Sequence, residues 1–473
     1  MSAAHGPAGL AALSARAMVA GYRDGAFTPL QVLQELLAAI GDDAFNAFTF
    51  IDTAGALRAA QAATERWQRG QPLGPLDGVP LTIKDLVTVA DWPIRRGSAL
   101  FAPAPSAEDA PVVAHLRRGG AVLLGKTTTT EMGCTVHGDS PVHGRTLHPL
   151  APGLCIGGSS CGAAAQLAAG WGPLALGSDA GGSVRIPASY AGLVAFKPSF
   201  GHIPMGPASA FAEFAHLGPM ARSVGDIALA MQVMGQPDAR DPASLYARGA
   251  PPAAEAGVLR VGYCLRMGPD AGADAALAPA MQALVAQLEG RTWQGRRLQP
   301  VAVDLAELQI ADALWQVWCA RVVEACLHWA PEQLAQLGPD MQAQHAQGLA
   351  QTGLQQAAAR RTLREGAQRL HALFADLDLL LTPATPGVAP RAGDVVHDAH
   401  PQAAVLRASG NWLAATPFSH PFNLTQQPAL ALPWGSNAQG LQFGLQVVGR
   451  RHADALVLDF GAALELWLQE ETP

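Results

Sequence analysis

Three short segments of this 473-residue chain carry residue types that could together open an unreactive carbonyl. Breaking an amide near neutral pH takes an activated nucleophile, donors for the oxyanion and an acid for the departing nitrogen. In GSDAGGSVRIP, Ser183 follows Ala180, Gly181 and Gly182, where missing side chains let several backbone N–H groups point at one spot. The same letters also fit a flexible glycine-serine turn with no chemistry. In CIGGSSCGAAAQLAAG, Ser159 and Ser160 stand between glycines at a helix entrance, which suits an N-cap or an anion-binding loop. No GxxxxGKS or GxxxxGKT pattern supports a nucleotide phosphate loop there. In GVPLTIKDLV, Lys84 emerges from an apolar strand. Lost solvation lowers the pKa of such an amine, and moving it from about 10.4 to near 7 takes roughly 4 to 5 kcal/mol, which burial can supply.

Lysine usage sharpens the point. The chain has 28 arginines but three lysines, Lys84, Lys126 and Lys197, all within one third of its length. Where arginine serves as the general surface cation, lysine is expected where a proton must be given up, because a guanidinium cannot be deprotonated. Lys126 and Lys197 also fit purely structural packing.

The elements that must hold these residues follow from periodicity. Thr28-Pro29 reads as an N-cap followed by proline at the first helical position, with Leu30, Leu33, Leu37 and Ile40 on one face. Residues 1–70 are therefore expected to be outer helices. From Val79 onward short apolar strands (PLTIKDLV, AVLLGK) alternate with helical stretches (DAPVVAHLRRGG), the α/β pattern. Ser160 to Ala169 reads as a helix and Pro173 to Gly177 as a buried strand ending at SDAGGS, so two glycine-lined turns frame one helix and one strand. Residues 75–230 form the expected catalytic core. Residues 250–375, rich in Ala, Gln and Leu, read mainly as a helical insertion or lid. Residues 376–473, with ADLDLLLTP, PALALPW and LQFGLQVVGR, complete the sheet. No internal repeat or clean linker divides the chain, so one large α/β domain is expected over 1–473, with a central mixed β-sheet covered by helices on both faces.

Composition excludes several classes. Hydrophobic residues make up 49% and charged residues 15%, which demands a large core. The net charge of −7 without a basic patch argues against nucleic acid or an anionic membrane as partner. The most apolar stretch, Cys161 to Gly177, is too short and too punctuated to span a bilayer. The first residues lack the pattern of a secretory signal, so a cytoplasmic location is the default expectation. Six scattered cysteines suit free thiols. Cys134, His137, His143 and His148 lie within fifteen residues, yet their gaps fit no standard zinc spacing, and no metal or other cofactor is expected.

The segments LDGVPLTIKDLV, GGAVLLGKTTTTEMG, GGSSCGAAAQLAAG, LGSDAGGSVRIPASYAGLVAFKPSFGHIP, HLGPMARSVGDIAL, LLLTPATP, PFNLTQQPALALPWG and GLQFGLQVVGR, in that order, resemble the amidase signature enzymes over most of the chain. The resemblance implies the fold of that family and a Ser-cisSer-Lys triad: Lys84 as base, Ser159 as proton relay through a cis peptide, and Ser183 as nucleophile. It further implies an oxyanion hole at Ala180, Gly181 and Gly182, substrate contacts from Met132, Gly133 and Cys134, and supporting roles for Ser160, Asp179 and Arg185. Two positions depart from the family pattern: Ile156 replaces the usual proline before GGSS, and Cys161 replaces the next glycine. Neither removes a catalytic group.

The implied activity is serine hydrolysis of small-molecule amides, anilides, carbamates or esters through an acyl-enzyme, by a monomer or homodimer. Two other readings compete. The A subunit of a tRNA-dependent amidotransferase shares this core but continues after KPSFG with a SLDQIGP-like segment, where this chain reads GHIPMGPASAFAEFAHLGP. A catalytically silent scaffold would have no reason to keep lysine at position 84. Phe211, Phe214, Leu217, Trp315 and Trp318 are candidates for an apolar substrate pocket.

Overall fold

Alternate residues of the apolar runs must face opposite sides of a sheet. The computed structural model describes residues 9–246, 257–268, 274–398 and 400–470. Its strands are β1 (Phe48–Ile51), β2 (Pro80–Lys84), β3 (Val122–Thr127), β4 (Leu174–Asp179), β5 (Val194–Lys197), β6 (His216–Ala221), β7 (Val258–Tyr263), β8 (Thr292–Trp293), β9 (Arg296–Ala302), β10 (Leu379–Pro383), β11 (Ala429–Ser436) and β12 (Gln442–Gly449). They form one twelve-stranded sheet in the order β1-β3-β2-β4-β6-β5-β11-β12-β10-β7-β9-β8. The sheet is mixed. β2 runs parallel to β3 and β4, and β7 parallel to β9 and β10. The central neighbours of β6, β11 and β12 pair antiparallel.

Both faces of this single large α/β domain are covered. Leu81 and Ile83 of β2, Leu174 and Leu176 of β4, and Leu379 and Leu381 of β10 share one core with the helices Pro111–Arg118, Val224–Met234 and Asp454–Gln469. On the other face, Ala175 and Ala195 pack with the helices Pro29–Ile40 and Cys161–Ala168. Farther along that face, Leu380 and Val448 pack with Trp318, Met341 and Leu363 from three helices between residues 311 and 373. Burial on both faces explains why these strands read as continuous apolar runs.

The N-terminal reading meets its helix: Thr28 caps Pro29–Ile40 with a reciprocal bond to Gln31, and Leu33 and Ile40 are buried while Leu30 and Leu37 pack at the margin. Two expectations need correction. β1 lies inside the supposedly helical first 70 residues, as an edge strand beside β3. The region 250–375, expected to be mainly helical, supplies β7, β8 and β9 to the sheet, with the helix Leu277–Leu288 between β7 and β8 and the remaining helices after β9. β9 carries only short apolar signals and has one side chain, Leu298, fully inside, so its identity comes from parallel pairing with β7 rather than from composition. All six cysteines are buried and free. Among the described residues no helix is long and apolar enough to cross a membrane.

Candidate active site

Parallel strands end at a common edge, and ligands in α/β sheets collect outside their carboxyl ends. Lys84 is the last residue of β2 and Asp179 the last of its parallel neighbour β4. Lys84 is fully buried, with Nζ 2.7 Å from Ser159 Oγ, 2.9 Å from Ser160 Oγ and 3.4 Å from the Ser178 carbonyl. Burial pushes its ammonium down to about 7, against the opposing pull of Asp179. Ser160 precedes the helix Cys161–Ala168 without capping it, because its hydroxyl turns to Lys84 and Ser178 instead. The Gly158–Ser159 peptide is cis.

The other two lysines are fully buried as well. Burial also lowers Lys126, to about 8, and its amine meets the Val87 carbonyl at 2.5 Å and Asp85 at 3.7 Å. Lys197 donates to the carbonyls of Pro198 and Gln427. Of the three, only Lys84 is hydrogen-bonded to serine hydroxyls.

Ser183 sits on the turn between β4 and the helix Arg185–Ala191 and is 3% exposed. Gly182 has φ 128°, a conformation that side chains resist, and a Cβ on Gly181 would meet the Trp412 ring at 2.7 Å. Asp179 shapes the turn by accepting the N–H groups of Gly182 at 2.8 Å and Val184 at 3.2 Å. This corrects one expectation: the Gly182 N–H is taken by the carboxylate. The N–H groups of Ala180, Gly181 and Ser183 have no hydrogen-bond partner among the described residues. Arg185 pairs with Asp179 through two nitrogens at 2.8 and 3.0 Å, and both side chains are fully buried. Burial alone would raise the Asp179 pKa, but Arg185 and Asn423 hold it well below the usual carboxylate range.

Breaking a buried ion pair by removing one charge typically costs about 3 to 5 kcal/mol. Asp179→Asn is therefore expected to lower the unfolding free energy by about that amount in urea denaturation. An unchanged midpoint and slope would remove the bracing role from Asp179.

A cavity of about 150 Å³ contains Ser159, Ser183, Met132 and Gly133, which places four sequence-selected residues around one space. A Cβ on Gly133 would come 3.3 Å from Ser159 Oγ. Cys134 is not on that wall: its side chain is fully buried, and its carbonyl accepts from Trp412 Nε1 and Gln344 Nε2. Phe211, Leu217 and Trp318 line the cavity, whereas Phe214 is core and Trp315 faces a separate cleft, bonding Gln347. The residues once weighed as metal ligands go to separate partners: His137 meets Asp340 at 2.9 Å, and His148 meets the Tyr190 carbonyl at 3.1 Å.

Several residues that hold the turn have no local sequence signal. Arg185 donates to the Ser419 carbonyl, Gln446 Oε1 and Asn423 Oδ1, and Ser419 Oγ donates to the Gly181 carbonyl at 2.6 Å. Asn423 and Gln446 lie in PFNLTQQP and LQFGLQVVG, where an amide among apolar neighbours was the only available hint.

The twelve-stranded mixed sheet with helices on both faces defines a single-domain α/β protein that holds a buried lysine-serine cluster at its edge. The family model described as Amidase matches residues 31–458. The chain belongs to the amidase signature family and is an amide-cleaving hydrolase. It is 32% identical to indoleacetamide hydrolase of Bradyrhizobium diazoefficiens, over 94% of this chain and 84% of that protein. It is 30% identical to an acylamidase of Rhodococcus erythropolis, over 96% of this chain and 95% of that protein. A crystal structure of a bacterial aryl acylamidase of the same family superposes with a TM-score of 0.82 at 25% identity, covering 96% of each chain.

Proposed function

We propose that the protein hydrolyses C–N bonds of small-molecule carboxamides through an acyl-enzyme on Ser183. The observation carrying this reading is a fully buried amine, its pKa lowered by burial to about 7, that lies 2.7 Å from a serine hydroxyl sharing one cavity with Ser183. Neutral Lys84 has a lone pair for the Ser159 proton, and Ser159 in turn accepts the proton of Ser183 as the latter attacks the carbonyl carbon. Ser160 and the Ser178 carbonyl hold the amine in place. The unpartnered N–H groups of Ala180, Gly181 and Ser183 receive the oxyanion, and each such donor is worth roughly 10² to 10³ in rate. The protonated relay then delivers a proton to the leaving nitrogen, and water reverses the sequence to free the acid.

Because the machinery acts on the acyl carbon, esters, anilides and carbamates are within its reach. The amidotransferase-subunit reading gains less support, since Pro207, Ala208, Ala210, Phe211 and Leu217 of the divergent segment make an apolar wall. A fluorophosphonate probe tests the serine mechanism and the scaffold alternative together. Stoichiometric phosphonylation of Ser183, found by peptide mass spectrometry and absent in the Lys84→Met variant, is the expected outcome. A folded protein that takes no label, or takes it elsewhere, would refute the assignment.

A further inference from the structure

One charged side chain in the substrate cavity, Arg96, makes no hydrogen bond or ion pair with its guanidinium among the described residues. Arg96 lines the same cavity as Ser159 and Ser183, on the loop after β2, and its carbonyl accepts the Met132 N–H at 2.8 Å. Its guanidinium carbon lies 5.1 Å from the centre of the Phe101 ring. Its Nε is buried and without a partner, and the side chain makes no hydrogen bond or ion pair among the described residues. The nearby carboxylate is already committed: Asp85 lies 3.7 Å from Lys126 Nζ and accepts the Arg95 N–H at 3.2 Å. Asp179, also on the cavity wall, is taken by Arg185. Arg96 and Lys126 thus share the single carboxylate of Asp85, which pairs directly with Lys126, so Arg96 keeps unused donors beside the cavity.

Leaving a partly buried guanidinium unpaired is costly, and unsatisfied buried polar groups call for a partner that arrives from outside. A planar fork of N–H donors matches a carboxylate with two parallel bonds. A dianion such as phosphate would leave a second charge uncompensated against apolar neighbours like Leu86, Phe211 and Trp318. We propose that Arg96 selects amide substrates bearing a carboxylate at the end remote from the scissile bond. This rests on the serine-lysine reading for what is cleaved, but the recognition step can be measured without turnover.

The test is calorimetric binding to the Ser183→Ala protein. Two acids are used, glutaranilic acid with its carboxylate on the acyl side and N-acetyl-4-aminobenzoic acid with its carboxylate on the leaving side, each against its methyl ester. At least one acid is expected to bind about 10-fold or more tightly than its ester, in line with a charged hydrogen bond. In the Ser183→Ala/Arg96→Gln protein the preference is expected to fall to within about 3-fold, and Arg96→Lys, which keeps charge but loses the fork, should fall between. Equal affinity for acid and ester in both pairs, absence of binding by either acid, or a preference that survives Arg96→Gln overturns the proposal. Failure of the serine mechanism would be seen separately, as missing phosphonylation of Ser183 with the acid preference intact.

Discussion

Replacing Ser183 by alanine is expected to reduce kcat/KM on any amide this protein cleaves by about 10⁴- to 10⁶-fold, the loss typical when a covalent nucleophile is removed from a unit that works together. Little else should change. The side chain is small, its hydroxyl has no hydrogen-bond partner among the described residues, and the turn is held by Asp179 and Arg185 rather than by Ser183. The melting temperature should therefore stay within a few degrees of wild type, and substrate affinity should persist. Kinetics and thermal melting on the same preparation check both halves. A variant keeping more than about a tenth of the activity would exclude Ser183 as nucleophile.

The second large effect is that of Lys84→Met, expected to abolish turnover by about 10³-fold or more while raising stability at mildly acid pH. The amine titrates near 7 in the folded protein against an ordinary value of 10.5, so between those values the unfolded chain binds more protons. Stability contributed by this group consequently rises with pH from about 7 to about 10.5 and is at its lowest below 7. Methionine removes the buried charge and with it that pH dependence. Its cost is two serine hydroxyls losing a partner, roughly 1 to 3 kcal/mol, against roughly 4 to 5 kcal/mol recovered at pH 6. The variant should thus melt above wild type at pH 6, with the gap closing and reversing as pH rises. In wild type, kcat/KM should fall about tenfold per unit below pH 7, because only the neutral amine accepts a proton. A pH-independent activity between 5 and 8 would argue that Lys84 stays charged or takes no part.

How much of this was legible in the sequence depends on how local each signal is. The strand carrying Lys84 announces itself by an apolar run ending in the first of only three lysines; all three are buried, and Lys126 and Lys197 bond backbone carbonyls as structural packing would have it. The two glycine-serine turns were legible as turns, because only small residues fit where Gly182 has φ 128° and Gly181 abuts Trp412. What they do together was not: a sequence of letters cannot say that residues 84, 159 and 183 meet, and the family resemblance supplied that step. The assignment of Gly182 as an oxyanion donor failed because the neighbouring carboxylate competes for its N–H, a matter of angle rather than spacing. The resemblance implied Cys134 on the pocket wall beside Met132 and Gly133, yet its side chain is buried and its carbonyl anchors Trp412. β7 and β9 were missed because an Ala-, Gln- and Leu-rich stretch signals helix on average, while parallel pairing of β7 with β10, more than a hundred residues away, and of β9 with β7 decides the matter locally. Arg96 drew no notice in the sequence, since arginine is the common cation here, and what sets this one apart is its place on the cavity wall with an unpartnered Nε.

The guanidinium of Arg185 binds Asp179 six residues before it, but its remaining donors wait for Ser419, Asn423 and Gln446, more than 230 positions later. During synthesis the serine turn therefore emerges long before the groups that hold it rigid. The turn is therefore braced only once residues 419 to 446 have folded back against it.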